Sequence, residues 1–333
     1  MPVLLSIYYN ARHQIQQGIN SAGKELGLIT SDTNQKRLQK IPVILDTDIG
    51  GDIDDTWALA MMLKSPELDV RLVVGDQGNT LYRARIIAKM LEVAQRTDIP
   101  VGIGINQGSR LGKEPQAPWV AGYDLKNYPG TVHDDGVKAI IDTIMRSPEP
   151  ITLICIGPVP NIAAALQSEP KIASKCRFVG MFGSIRRSHD GIKKVIAECN
   201  VVSDVKACQK VFTAPWREMV ITPLDTCGQV RLKGRKYRSV RYSSDPLTQA
   251  VIENYRIWLK GNPDEQSSIL FDTVAIYLAF AEDLLVMEDM GIKVTDDGFT
   301  IQDPNARTIR CATEWKDMGA FEDLLVQRLT GEK

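Results

Sequence analysis

At 333 residues, with 44% hydrophobic and 24% charged residues and a formal net charge of −1, the chain has the composition of a soluble globule that can bury a large core as one big or two ordinary domains. No basic patch points to nucleic acid, and no run approaches the ~20 apolar residues of a membrane span. Six cysteines (Cys155, Cys176, Cys199, Cys208, Cys227 and Cys311) are scattered without a Cys-x-x-Cys pair and several lie in apolar runs, which argues for reduced core residues over a disulfide framework or zinc site and for a reducing, cytoplasmic compartment.

The first apolar run, at residues 2–8, is too short for a signal sequence, and residues 1–40 read as an extension of unknown role with a helix over 11–27. From there short β-branched runs alternate with amphipathic stretches. The pattern predicts strands at 42–47, 70–75, 99–103, 151–156, 177–182 and 218–222, and helices at 56–64, 80–96, 134–146, 160–168 and 203–213. This is the βαβ rhythm of a parallel sheet. After 222 it loosens into a polar, basic segment at 231–241, helices at 245–260 and 272–282, a short apolar pair near 284–295, a strand at 307–313 and a closing helix at 318–329. With no internal repeat or low-complexity linker, one α/β domain over 41–330 with a helical C-terminal part is the economical reading.

The first strand runs into Asp46, Asp48, Asp52, Asp54 and Asp55, five carboxylates within ten residues. Helix capping explains one or two of them. Packing all five at the mouth of a buried strand is costly unless a cation or polar substrate occupies the site. Ligands of open parallel sheets sit outside the carboxyl ends of the strands. Polar turns follow the second, fourth and fifth strands there (Asp76 to Asn79, Gly157 to Asn161, Phe182 to Ser184), so a single site at one rim is expected.

The residues Asp46-Thr47-Asp48 with Asp54-Asp55, Gly78-Asn79, the turn Ile156 to Asn161, Ala197-Glu198-Cys199-Asn200 and Phe271-Asp272, in that order, give the chain a resemblance to the inosine-uridine-preferring nucleoside hydrolase family from about residue 41 to 329. The resemblance implies a Rossmann-like, mostly parallel central sheet flanked by helices, a homodimer or homotetramer, and a small-molecule nucleoside as substrate. It also implies Ca²⁺-dependent cleavage of the N-glycosidic bond to ribose and free base. Carried over residue by residue, it places Asp48, Asp55, the Ile156 carbonyl and Asp272 around Ca²⁺, with Asp48 as the general base toward a water on the ion. It gives Asp54 to the 2′-hydroxyl, Asp272 and the ion to the 3′-hydroxyl, and Glu198, Asn200 and Asn79 to the remaining sugar edge. Such an all-oxygen, anionic shell suits calcium, whereas zinc would recruit histidine or cysteine.

The acid motif is two residues longer than the common family form, with Gly51-Asp52 or its neighbours as the insertion, which leaves Asp46 and Asp52 as supporting residues. Ile192 stands where well-known members have asparagine, in a basic loop with Arg186, Arg187, His189, Lys193 and Lys194. Phe271 stands where pyrimidine-favouring members carry histidine, and is expected to pack on the base. His133 is then the candidate for protonating the leaving base, and Trp119 and Tyr123 for stacking on a purine. Two other classes compete: a haloacid dehalogenase-type phosphatase using Asp46-x-Asp48 with Asp296-Asp297, and a non-catalytic nucleoside or sugar binder of the same fold.

Overall fold

The computed structural model describes residues 40–108, 113–262 and 265–331. The N-terminal extension, with the helix expected at 11–27, lies outside the described residues. The strands are β1 (Ile41–Thr47), β2 (Leu68–Gly75), β3 (Val101–Ile103), β4 (Val132–His133), β5 (Ile151–Cys155), β6 (Cys176–Met181), β7 (Glu218–Thr222), β8 (Leu285–Val294), β9 (Thr300–Gln302) and β10 (Thr308–Trp315). They form one sheet in the order β4-β3-β2-β1-β5-β6-β7-β10-β8-β9. The first seven and β10 run parallel, β8 runs against β10, and β9 against β8.

A parallel sheet is covered on both faces, so its central strands are apolar throughout. In β1, Val43 and Leu45 face one core and Ile44 the other. The first core is closed by α1 (Asp54–Leu63), α2 (Thr80–Val93), α8 (Gly234–Arg241), α9 (Pro246–Leu259), α10 (Thr273–Leu278) and α11 (Met318–Thr330). The second is closed by α3 (Gly136–Arg146), α4 (Pro160–Ser168), α5 (Ile172–Lys175), α6 (Cys199–Ser203) and α7 (Val205–Thr213). This is the expected α/β architecture with a helical C-terminal part.

The differences are local. The helix expected at 203–213 starts only after Asp204, whose carboxylate accepts the Ala207 N–H at 3.0 Å, and a separate short helix precedes it. The apolar pair near 284–295 is a single ten-residue strand, its register set by β10. The basic segment holds α8, which buries only Tyr237 and Val240, too narrow an apolar face to read from periodicity. None of the six cysteines is bonded to another; five are buried and Cys199 is exposed. No helix among the described residues is long and apolar enough to cross a membrane.

Strand order reverses between β1 and β5, with β2, β3 and β4 on one side and β6 and β7 on the other. The crevice beyond such a reversal is where open α/β sheets bind ligands. Asn161, at the start of α4, fastens it. Its Nδ2 donates to Asp46 Oδ1 at 2.9 Å and to the Gly75 carbonyl at 3.1 Å, and its Oδ1 accepts the Ile105 N–H at 2.9 Å. Replacing it as Asn161→Leu strands three fully or partly buried polar groups and should lower unfolding stability by about 2–4 kcal/mol in urea titration. A change within error would show that the crevice does not depend on this residue.

Candidate active site

The acid loop is shaped by its backbone. Gly50 adopts φ +99°, and an added Cβ would lie 2.6 Å from the Ile86 side chain, so the loop folds flat against α2 only with glycine there. Tyr82 of α2 donates to the Gly50 carbonyl at 3.0 Å. The Arg83 guanidinium, itself buried, donates to the carbonyls of Gln77 (2.6 Å) and Ile49 (2.9 Å) and stands 3.9 Å from the Asp48 carboxylate. Thr47 donates its hydroxyl to Asp55 at 2.5 Å while accepting the Ile49 N–H. On the opposite wall, the β5–α4 turn holds β-branched Val159 at φ +65°, a conformation costing about 1–3 kcal/mol, with its N–H given to the Asp76 carboxylate at 2.8 Å.

Carboxylate oxygens of Asp54, Asp55 and Asp272 all lie within 4.8 Å of one another, and all three residues are buried. The Asp272 N–H donates to Asp54 at 3.2 Å, bringing α10 to the first turn of α1. Together with Asp48, Asp52, Ile156, His189, Glu198, Asn200 and Phe271 they line a cavity of about 420 Å³, within the range of small-molecule sites. Burial raises all of these carboxyl groups above their ordinary range. Repulsion from Asp48 and Asp54 adds to this at Asp55, and from Asp54, Asp55 and Asp48 at Asp272. Asp48 is also raised by burial, with Arg83 pulling it back. Glu198 is pushed up to about 7 by burial although it accepts N–H bonds from Asn200 (2.8 Å), Gly183 (3.1 Å) and Val201 (3.2 Å). Clustered oxygens raised in this way fit a hard divalent cation, which would relieve the repulsion that burial leaves unscreened.

The cavity thus gathers Asp48, Asp54, Asp55, Ile156, Glu198, Asn200, Phe271 and Asp272, as expected from the sequence. Asn200 also donates to the Ile156 carbonyl at 3.1 Å, tying two of them together. Asp54, expected only at the 2′-hydroxyl, belongs to the tightest carboxylate group. Two expected residues stand elsewhere. Asn79 caps α2, accepting the Tyr82 N–H at 3.2 Å and donating to Glu114 at 2.9 Å, and does not line the cavity. His133, in edge strand β4, lines a different cavity with Pro42 and Ile151, near the starts of β1 and β5, and the two cavities share no residue. It is held there because β4 pairs with β3, away from the acid loop. Trp119 and Tyr123 pin the long loop through Glu253 (3.0 Å) and Glu92. Asp296 faces Lys206 and Gln209 in the β8–β9 turn, so it gives Asp46 no partner for a phosphatase site. Asp52, expected only as a supporting residue, and His189, given no role in the site, both line the cavity. The signals were the insertion itself and the lone histidine of the basic loop.

A family model for inosine-uridine preferring nucleoside hydrolase matches residues 43–322. The chain belongs to this family. Its relatives include a pyrimidine-specific ribonucleoside hydrolase of Salmonella arizonae, 27% identical over 315 residues, covering 87% of this chain and 98% of that one. Among solved structures, a purine-preferring ribonucleoside hydrolase from Gardnerella vaginalis superposes with TM-score 0.71 at 21% identity, covering 87% of this chain and 98% of that one. The plant nucleoside hydrolase PpNRh1 gives 0.70 at 22%, covering 88% and 99%. As a member of the family, this nucleoside hydrolase is an N-glycosyl hydrolase.

An acid whose folded pKa is raised is favoured in its protonated form by folding. Stability is therefore lost as pH climbs from the unfolded carboxyl value of ~4 through the folded values, which for Glu198 and Asp76 are about 7. Millimolar Ca²⁺ should accordingly raise the melting temperature of the chelator-treated hydrolase more at pH 8 than at pH 5.5, as measured by calorimetry. An equal or absent shift at both would count against a cation among these acids. Asn79→Ala should cost about 1 kcal/mol of stability as a lost helix cap, with KM for nucleosides unmoved in steady-state assays.

Proposed function

We propose that this hydrolase cleaves the N-glycosidic bond of ribonucleosides to ribose and free base with the help of a bound Ca²⁺. We read it as a homodimer or homotetramer in the cytoplasm. The reading rests above all on the convergence of Asp54, Asp55 and Asp272 in one cavity with Asp48. Asp48, Asp55, Asp272 and the Ile156 carbonyl would hold the cation, with Asp54 close enough to join them. When bound, the cation would supply positive charge that acidifies a water and orders the sugar hydroxyls.

The chain's own groups account for the rest. Asp48 is the cavity carboxylate beside a buried arginine, which favours its ionised form and suits it to take a proton from water approaching C1′. As the bond to the base lengthens, the ribosyl ring gains positive charge, and the surrounding carboxylates stabilise that charge more than they stabilise the ground state. Ionised carboxylates are strong acceptors for hydroxyls, so Asp54 at the 2′-hydroxyl and Glu198 and Asn200 along the sugar edge would fix the ring. Phe271 offers the base an apolar face. Beyond it opens a second cavity that shares Asp52 and Phe271 with the first and adds Tyr255 and Trp258, room in which a planar base could lie.

Ribose release from inosine, adenosine, guanosine, uridine and cytidine, assayed with Ca²⁺ and with chelator, tests this reading. Release should be chelator-sensitive, and Asp48→Ala should reduce kcat by ~10²-fold or more with the fold intact. Discrimination against 2′-deoxyinosine should reach ~10²-fold or more in kcat/KM. Tight nucleoside binding without turnover would instead identify a binding protein.

A further inference from the structure

The carboxylates provide for the sugar and the water, but the departing base needs a proton, and Phe271 has none to give. The chain has three histidines: His13 lies outside the described residues, His133 faces the other cavity, and His189 lines the acid cavity. The His189 ring packs against Phe271 edge to face, with centroids 5.6 Å apart. It therefore stands beside the aromatic surface on which the base is proposed to lie.

Its loop is built to hold it there. The Asp225 carboxylate accepts the N–H groups of Ile185 (2.8 Å), Arg186 (2.7 Å) and Arg187 (3.1 Å), fixing the segment as it leaves β6. Ser188 and Ile192 close the turn with a 2.9 Å backbone bond, and Asp190, at φ +54°, is gripped by Arg231 at 3.2 Å. Arg186 is drawn outward onto Glu288 by a two-pronged pair at 2.7 and 2.8 Å. The imidazole is thus left as the basic side chain of this loop that lines the cavity. Asp52, the carboxylate of the inserted segment, lines the same cavity and is under the electrostatic influence of His189. Two departures from the family pattern therefore meet at one point.

We propose that His189 is the catalytic residue that protonates the leaving base, oriented by its packing on Phe271 and by the carboxylate of Asp52. The inference rests on the hydrolase reading. As the C1′–N bond breaks, its electron pair passes to the base nitrogen and the imidazolium proton moves to the base. The water oxygen bonds to C1′ and gives its proton to Asp48. One proton then returns through solvent from Asp48 to His189, so that ribose and neutral base leave and the enzyme is restored.

The test compares wild type, His189→Ala and His189→Gln on inosine and uridine and on p-nitrophenyl β-D-ribofuranoside, whose leaving group departs as a stabilised anion and needs no proton. Both variants should lose ~10²-fold in kcat on the nucleosides and at least ~10-fold less than that on the aryl riboside. Equal losses on both substrate classes, no loss on nucleosides, or recovery of wild-type turnover by glutamine would each overturn the assignment. A wild-type enzyme that releases sugar from none of the substrates would instead overturn the hydrolase reading, and this inference with it.

Discussion

The molecule is organised around an electrostatic conflict, the burial of like charges at the head of a hydrophobic sheet. Asp46, Asp54, Asp55, Asp76, Glu198 and Asp272 are all buried, and Arg83 is the one basic side chain among the described residues that is buried with them. Removing a carboxylate from water costs several kcal/mol unless something replaces its hydration. Here the substitutes are local: the Thr47 hydroxyl at Asp55, the Asp272 N–H at Asp54, three backbone N–H groups at Glu198 and the Asn161 amide at Asp46. These bonds satisfy individual oxygens without cancelling the net charge, and the negative potential that remains suits the cavity to a cation.

The sheet makes the conflict tolerable by spreading its supports over both halves of the fold. Close contacts at the crevice leave little slack. A Cβ on Gly157 would lie 3.0 Å from the Asp48 backbone nitrogen and from the Asp76 carboxylate, so the turn after β5 can lie this close to the acid loop only through glycine. The strained Val159 next to it persists because Asp76 and the start of α4 over-determine its position. Rigidity at this rim places the carboxylates before any ligand arrives, and preorganisation of that kind gives fixed charges their leverage over a transition state.

Much of this was legible in the sequence, and unevenly so. Helix capping accounts for one or two of the five acids at the end of the apolar strand but not for all, so a candidate site could be read without the fold. The order of the later motifs then supplied Glu198, Asn200 and Asp272. Position within a loop was harder to read. Asn79 precedes a helix and does what asparagine does there, while His133 was read from its place in the family pattern; pairing of β4 with β3 sets it in an edge strand, against a different cavity. His189 was hidden in a run of basic residues whose separate fates depend on partners far along the chain: Arg186 pairs with Glu288, 102 residues on, while His189 packs on Phe271. Helix α8 was obscured for a different reason: it is held by two buried side chains and a docking surface, not by its own periodicity.

The bond from the Asp272 amide to Asp54 joins residues 218 positions apart. Contacts of such long range form only after the intervening chain has been ordered, and folds rich in them assemble slowly. The N-terminal half can build β1 and expose its row of aspartates well before α10 exists to complete the group. The cavity is therefore complete only when residues from the last third of the polypeptide have docked against the acid loop. Truncation anywhere before Asp272 removes one wall of the cavity, and the completed cavity is a record that distant parts of the chain have folded together.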